Sequence, residues 1–303
     1  MAFARVVEKL QAHDGIEVPV SAVRNIPERH AQALPEAPAG QPMKRPAAGG
    51  VACLLAERDG SMIPIVAIPE PEATDPDGDR RQRRTVRWQE ARLALAHPPG
   101  SVHPVFGASR GDAQAAGDQL AEGARRAGFG KRTQGHALGD GAPWIAEQVE
   151  RVFGAQAPYL VDFYHRCDYL AAAAKRGAPG QAQIWFEQQK QHLKTGHVQH
   201  VLDSLQPHLE PEAVPNTEAP VRACHRYLTN RLEQLDYPAA LEAGLPIGSG
   251  EVESAHRYVI QERLKIAGAW WKEEQAHDML ALRVCRANHD WEAYWSQIAQ
   301  EAA

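Results

Sequence analysis

From Gly50 onward, short apolar runs rich in β-branched residues alternate with amphipathic helical segments, and this order restricts the fold more than any other feature. The runs VACLLAER and SMIPIVAI flank Asp59-Gly60, which predicts a hairpin at that pair. TVRWQEARLALAH follows as a third predicted strand. An amphipathic helix then ends at Gly128. Three strands and a helix therefore open the folded part of the chain.

The next segments continue this pattern. A short predicted strand leads into Asp140, a helix with Pro143 in its first turn follows, and an apolar strand lies at 159–166. This succession of strands and helices is that of an RNase H-like core. A polar stretch without a clear strand then separates it from a Gly-rich turn and a final set of helices. The sequence predicts an α/β fold: an RNase H-like mixed sheet with flanking helices, interrupted by an all-helical insertion.

Changes in composition predict the domain boundaries. Two short helices around Asp14-Gly15, with Ser21 as N-cap of the second, have the outline of a helix-turn-helix, although such pairs are also common packing elements. A linker rich in Pro, Gly and Ala follows at 36–49. The predicted units are the N-terminal helices and linker at 1–49, the first part of the core at 50–175, the helical insertion at 176–244 and the C-terminal helical part of the core at 245–303.

The overall charge leaves nucleic-acid binding open. A net charge of −5 does not favour a protein that coats DNA by charge alone. Phosphate contact needs only a local basic patch, however, and arginines cluster at the end of an exposed loop predicted at 69–85. These are Arg80, Arg81, Arg83, Arg84 and Arg87. The chain has no run of about 18 apolar residues and no secretory signal pattern, so we expect a cytoplasmic protein without a membrane partner.

Three acidic residues occupy positions that the predicted topology would bring to one edge of the sheet. Asp59 ends the first predicted strand, Asp140 ends the fourth, and Glu253 lies on the helix after a Gly-Ser-Gly turn. Phosphoryl transfer on DNA uses two divalent ions about 3.5–4 Å apart, and hard cations prefer oxygen ligands. The three carboxylates are therefore candidate catalytic residues and ligands for two Mg²⁺ ions, which Mn²⁺ can replace.

Each of these carboxylates also has an ordinary structural interpretation. Asp59 suits a hairpin turn, Asp140 suits a turn or a helix cap, and Glu253 in a first helical turn favours the helix dipole. Glu251 is the rival for the third ligand. It lies about 200° around the helix from Glu253, so only one of the two can face the metal ions.

The residues around the three carboxylates resemble a known family. The runs LGDGAPWI (138–145), LVDFYHRCDYL (160–170) and LPIGSGEVESAHRYVIQERLKIAGAWW (245–271) are similar to the DDE transposases of bacterial insertion sequences, of the Kra type. ERDGSMIPI (57–65) and VRWQEARL (86–93) resemble the first-Asp region of that family. The resemblance covers about residues 50–295, and the Gly-Ser-Gly-x-x-Glu-Ser run is its most specific part.

The resemblance implies a function for the site. Asp59, Asp140 and Glu253 would be the metal-binding triad of an enzyme that cuts DNA at element ends and joins the freed 3′-OH to target DNA, as a homo-oligomer on DNA. A nuclease or resolvase of the same fold that cuts without joining is the first alternative, and an inactive DNA-binding remnant is the second. Family members carry a longer N-terminal DNA-binding region, so we expect this copy to be truncated or split.

Five further residues are candidate DNA contacts. In the run Asp162-x-x-His165 the histidine resembles one that several DDE transposase groups place near the scissile phosphate, although a buried, backbone-bonded histidine is an alternative. His256 and Arg257 follow Glu253 on the same helix face, where a cation can contact a phosphate or pair with the carboxylate. The predicted DNA contacts are His165, His256, Arg257, Arg263 and Lys265.

Another histidine group lies within the predicted insertion. His192, His197 and His200 occur in one helical stretch. Neither a cysteine nor a strand-borne carboxylate accompanies them. The sequence therefore favours surface residues over metal ligands at these positions.

Overall fold

The computed structural model describes residues 3–34, 40, 43, 49–69 and 80–301, and a five-stranded mixed sheet lies at its centre. The strands are β1 (Cys53–Ala67), β2 (Thr85–His97), β3 (Val105–Ser109), β4 (Gln134–Gly139) and β5 (Tyr159–Val161). Their order across the sheet is β3-β2-β1-β4-β5. β2 pairs antiparallel with β1 and β3, whereas β4 pairs parallel with β1 and β5. The predicted mixed α/β class is confirmed.

The hairpin predicted at Asp59-Gly60 is wrong. β1 continues through this pair, and Asp59 lies opposite Leu93 of β2 in the antiparallel ladder. Gly60 allows the Glu90 side chain of β2 to lie close to the backbone of β1, because a Cβ at this position would collide with the Glu90 carboxylate. Three strands still precede the first helix of the core, since the short strand β3, which the sequence did not indicate, takes the third place.

Helices surround the sheet. In chain order they are α1 (Phe3–Lys9), α2 (Val20–Gln32), α3 (Ala113–Arg126), α4 (Pro143–Phe153), α5 (Phe163–Gly177), α6 (Ala182–Lys194), α7 (Val198–Leu205), α8 (Pro220–Thr229), α9 (Tyr237–Glu242), α10 (Gly250–Ala255), α11 (Glu262–Leu264), α12 (Glu273–Ala287) and α13 (Trp291–Glu301). A π-helical segment, His256–Gln261, joins α10 to α11. We call the continuous helical stretch 250–264 the site helix. As predicted, α4 begins at Pro143.

The two faces of the sheet bury different helices. α3 and α4 pack on one face, around Leu54 and Leu120. The site helix and α12 pack on the other face, around Leu93 and Val259. Because side chains alternate between the two faces of a strand, Glu57 and Asp59 of β1 share the face that carries the site helix.

The predicted insertion at 176–244 contains the helices α6 to α9 and no strand. These helices pack with α5 around a separate apolar cluster that includes Phe163, Leu202 and Cys224. Leu138 of β4 and Leu160 of β5 belong to the same cluster. The insertion is therefore attached to the edge of the sheet that β4 and β5 form.

The N-terminal helices pack against the C-terminal end of the chain. Gln32 donates a hydrogen bond to Asp278 of α12, at 3.2 Å. The prediction of Ser21 as an N-cap is wrong, because α2 begins at Val20 and the extended Pro19 precedes it. Most of the predicted linker and exposed loop, at 36–49 and 69–85, falls outside the described residues. Within those residues, no helix combines the length and the apolar content that crossing a membrane requires.

The packing of the sheet yields a stability prediction. Leu93 is completely buried at the centre of the sheet, whereas Val86 on the same strand is 52% exposed. Leu93→Ala should lower the free energy of unfolding by about 2–5 kcal/mol, because it leaves a cavity between β2 and the site helix. Val86→Ala is the matched control and should cost less than about 1 kcal/mol. Urea denaturation measures both, and equal losses would contradict the assignment of β2 to the core.

Candidate active site

Three aspartates follow one another across the parallel part of the sheet. The pairing of β1 with β4 and of β4 with β5 ends at Gly139. The next residues of the three strands are Asp59, Asp140 and Asp162. Carboxyl ends of neighbouring parallel strands meet at one edge, which is where α/β sheets bind ligands. The topology thus brings two predicted ligands together and adds a third aspartate that was not predicted as a ligand.

Asp59 lies within a strand, so the prediction that it ends one is wrong. It marks instead the point where β1 leaves β4 and continues with β2 alone. Its Oδ2 lies 3.2 Å from Nε2 of His256, and its Oδ1 accepts the backbone N–H of Gly60 at 2.7 Å. The His256 ring is almost fully buried. The structure therefore places this predicted DNA contact beneath Asp59 rather than on the surface.

Asp140 lies in the loop between β4 and α4. Its Oδ1 accepts the backbone N–H of Ala142 at 2.8 Å, so the interpretation as a turn residue at a helix start is also satisfied. Residues of α8 and of the segment directly after it donate hydrogen bonds to the backbone of the same loop. The Tyr227 hydroxyl donates to the backbone carbonyl of Asp140, and Nε of Arg231 donates to the carbonyl of Gly141 at 2.8 Å. The Asp140 side chain is therefore fixed at the edge of the sheet.

Glu253 projects from the first turn of the site helix toward these aspartates. Partial burial raises the pKa of its carboxyl group, and the negative charges of Asp162 and Asp59 raise it further. The nearby His165 and His256 act in the opposite direction. Since interactions between charges weaken with distance, these effects indicate that Glu253 lies close to the ends of β1 and β5.

Glu251 points to a different part of the sheet. Its Oε2 lies 2.8 Å from Nε2 of His97, the buried last residue of β2. The two glutamates thus diverge, as their spacing on the helix predicted. This arrangement favours Glu253 over Glu251 as the partner of Asp59.

The spacing of the carboxylates limits how they could hold metal. Among the residues that the structure describes, ligand oxygens of Asp59, Asp140 and Glu253 do not all lie within 4.8 Å of one another. One ion bound by all three at once does not match this spacing. Two ions about 3.5–4 Å apart, each about 2 Å from its ligands, allow the outer carboxylates to be more widely separated.

A buried glutamate that the sequence did not assign supports the site helix. Oε2 of Glu57 accepts the backbone N–H of Val252 at 2.8 Å, in the first turn of the site helix. Burial is the main reason that the pKa of Glu57 is raised to about 7. The charges of Glu251 and Asp162 act in the same direction, and the backbone hydrogen bonds partly oppose them. The only signal in the sequence was that Glu57 and Arg58 make this part of the strand more charged than a buried strand usually is. Glu57 acts as a long-range cap of a helix start.

Arg58, the neighbour of Glu57, points to the opposite face of the sheet. Its guanidinium group lies 4.7 Å from the centre of the Trp144 ring of α4. Burial, together with the positive charges of Arg92 and Arg151, lowers the pKa of Arg58 to about 9. Trp144 therefore packs under arginines, in keeping with a structural role for this tryptophan.

Asp162 connects β5 to the turn before the site helix. Its Oδ2 accepts the backbone N–H and the hydroxyl group of Ser249, both at 2.6 Å, and its Oδ1 accepts the backbone N–H of His165 at 2.9 Å. Asp162 is thus the N-cap of α5. His165 itself is partly buried, with its ring against Tyr169 and Tyr227.

The other predicted DNA contacts lie along the site helix. Arg257 and Lys265 are exposed. Arg263 is only partly exposed, and its guanidinium group lies 4.8 Å from the centres of the Phe3 and Trp271 rings. Arg257 and Lys265 are thus accessible to a ligand, whereas Arg263 packs between aromatic rings.

Relationships to other proteins add nothing to this geometry. Comparison of the chain with protein families, with curated proteins and with solved structures finds no match. The chemistry of the site must be inferred from the arrangement of its own residues.

The buried Glu57 carboxyl group predicts a pH-dependent stability. Its pKa of about 7 in the folded protein exceeds the ordinary value of 4.5, so the folded state binds this proton more tightly than the unfolded chain does. The free energy of unfolding should therefore fall, relative to that of Glu57→Gln, as the pH rises from 4.5 through 7. The difference should reach at most about 3 kcal/mol, because one pKa unit corresponds to about 1.4 kcal/mol.

Denaturation in urea between pH 4.5 and 8 measures this difference. Glu150→Gln is the matched control, because Glu150 is an exposed carboxylate on α4. Its stability should follow that of the original protein across the range. A gap between the original protein and Glu57→Gln that does not change with pH would contradict the raised pKa.

Proposed function

We propose that this protein is a DDE-type transposase that cuts DNA at the ends of an insertion element and joins the freed 3′-OH to target DNA. The observation that carries the proposal is the placement of two aspartates at the ends of neighbouring parallel strands, beside a helix that carries a glutamate near Asp59. Asp59 and Asp140 follow the paired residues of β1 and β4, and Glu253 comes from the site helix. The resemblance of the surrounding runs to DDE transposases supports the same conclusion.

An RNase H-like core is the finer description of the fold that we propose. The order β3-β2-β1-β4-β5, with β2 antiparallel to its neighbours, supports it. In such a core one carboxylate lies on the first strand, one follows the fourth strand, and one lies on a later helix. Asp59, Asp140 and Glu253 occupy these three places.

The donor set fits two Mg²⁺ ions. Asp59, Asp140 and Glu253 offer carboxylate oxygens, which hard cations prefer, and their separation exceeds what one shared ion needs. Bound there, two Mg²⁺ or Mn²⁺ ions would activate the attacking oxygen and stabilise the leaving oxygen of a phosphodiester. We propose that Asp59 would contribute to holding both ions, with Asp140 and Glu253 each completing one.

The surrounding residues position the three carboxylates. His256 contacts Asp59 from the buried side, and Tyr227 and Arg231 fix the loop that carries Asp140. Burial raises the pKa of Glu253 most, and the charges of Asp162 and Asp59 raise it further; a bound cation would relieve this repulsion. The side chains are thus held in place before DNA arrives.

The exposed side of the site helix supports a DNA partner. Arg257, one turn after Glu253, and Lys265, directly after the site helix, are exposed, and we propose that they contact phosphates. His165 lies near Glu253, within reach of a DNA strand at the carboxylates. A homo-oligomer on paired DNA ends, in the cytoplasm, completes the proposal.

An assay of cleavage and strand transfer tests this function. Labelled DNA with the repeats that flank the gene is incubated with the protein, a plasmid target and Mg²⁺ or Mn²⁺. Asp59→Asn, Asp140→Asn and Glu253→Gln should each reduce cleavage and joining at least about 100-fold, because each removes a charged oxygen ligand. Glu251→Gln is the matched control on the same helix and should retain activity within about tenfold.

Other outcomes would identify the alternatives. Cleavage without a joined product would indicate a nuclease or resolvase. DNA binding without any reaction, unchanged in Glu253→Gln, would indicate an inactive remnant. Activity that survives Glu253→Gln and is lost in Glu251→Gln would show that the third ligand is wrongly assigned.

A further inference from the structure

A second cluster of metal-binding side chains lies in the insertion, away from the carboxylates. His192 belongs to the last turn of α6, His197 immediately precedes α7, and His200 lies in the first turn of α7. One ligand nitrogen from each ring lies within 4.8 Å of the other two. Within the described part of the chain, no other group of His, Cys, Asp or Glu meets this criterion.

The corner between α6 and α7 brings the three rings together. Gly196 has a φ of +79°, a conformation that favours glycine, and it turns the chain directly after α6. The backbone N–H of His197 then donates to the carbonyl of His192 at 2.8 Å. The backbone N–H of His200 donates to the carbonyl of His197 at 3.1 Å. The backbone positions of all three histidines are therefore fixed relative to one another.

A threonine in the corner determines which nitrogen of His197 can bind an ion. The hydroxyl group of Thr195 donates its one hydrogen to the carbonyl of Gln191, at 2.9 Å. Its oxygen lies 2.8 Å from Nδ1 of His197, and with the hydroxyl hydrogen on the Gln191 carbonyl it accepts the proton of that nitrogen. The lone pair of the His197 ring is consequently on Nε2. Hydrogen bonds of this kind orient most histidines that bind metals in proteins.

The rings are close enough for coordination after small rotations. The centres of the His197 and His200 rings are 5.3 Å apart, with an angle of 29° between the planes, and the His192 and His200 centres are also 5.3 Å apart. Tetrahedral zinc at about 2.0–2.1 Å from each ligand places neighbouring nitrogens about 3.3 Å apart. His197 and His200 are exposed and His192 is partly exposed, so their side chains have room to make this adjustment.

We propose that His192, His197 and His200 form a binding site for a divalent transition-metal ion, with Zn²⁺ as the main candidate. Imidazole nitrogens suit Zn²⁺, Ni²⁺, Cu²⁺ and Co²⁺, whereas Mg²⁺ prefers oxygen. Three ligands leave a fourth position for water or another group, because the cluster faces solvent. The ion joins the end of α6 to the start of α7 and holds the corner of the insertion. This site is independent of the proposed transposase activity.

Cobalt spectroscopy and zinc calorimetry test the site on the full chain, prepared without a histidine tag. Both titrations are done in excess Mg²⁺, which occupies oxygen ligands and does not compete for imidazole. One equivalent of Co²⁺ should produce the visible absorption of a four-coordinate ion, and Zn²⁺ should displace it. His197→Ala and the exposed His200→Gln should each weaken binding by more than about tenfold. Retention of the absorption in both variants would refute the site.

Two controls separate a built site from binding to scattered histidines. His208 is an exposed histidine of the same insertion, just after α7, so His208→Ala should leave the affinity and the stoichiometry unchanged. Glu253→Gln should also leave them unchanged, which keeps this test separate from that of the carboxylate site. A loss in His208→Ala equal to that in His197→Ala would refute the proposal.

Substitution of Thr195 provides a further test, because a residue that only shapes the corner would not affect zinc affinity. Thr195→Val keeps the shape of the side chain and removes the oxygen that accepts the proton of His197. Zinc affinity should fall about 10- to 100-fold, as is usual when such a partner is lost, and Thr195→Ser should restore it. The circular dichroism spectrum without metal should be the same in all three proteins. An unchanged affinity in Thr195→Val would contradict the proposed orientation of His197.

Discussion

Parallel pairing of β1 with β4 and of β4 with β5 ends at Gly139, and this register aligns Asp59, Asp140 and Asp162 at one edge of the sheet. A shift by one residue would turn each side chain of a strand to the other face of the sheet. Glu57 and Asp59 would then face α4, and Arg58 would face the site helix. The burial of Arg58 over Trp144 and of Glu57 against the site helix therefore stabilises the same register that aligns the aspartates.

Two buried carboxylates hold the start of the site helix. Glu57 accepts a backbone N–H of its first turn, and Asp162 accepts the N–H and the hydroxyl group of Ser249 directly before it. Both place negative charge at the positive end of a helix dipole, which is favourable. Asp162 also acts on Glu253: after burial, the charges of Asp162 and Asp59 raise the pKa of this carboxyl group.

The sequence located much of this site, and the errors have physical causes. Asp140 and Glu253 lie where the pattern predicted, because a strand end before a helix and a Gly-rich helix start are local signals. Asp59 was assigned to a hairpin, since two apolar runs around Asp-Gly look alike in a hairpin and in one long strand. The role of Glu57 was missed because its partner, Val252, lies 195 positions away. His192, His197 and His200 were expected in one helical stretch, whereas a turn at Gly196 separates α6 from α7 and brings the three rings together.

The insertion contributes to the carboxylate site although none of the three carboxylates Asp59, Asp140 and Glu253 belongs to it. α7 and α8 bury Leu202, Cys224 and Leu228 in the apolar cluster that also includes Leu138 of β4. Tyr227, the neighbour of Leu228 on α8, donates a hydrogen bond to the carbonyl of Asp140. A substitution that weakens the packing of α7 against α8 should therefore also change the position of the Asp140 loop, because α8 packs in that cluster and bonds to this loop. The stability of the insertion and the geometry of the second carboxylate are consequently linked.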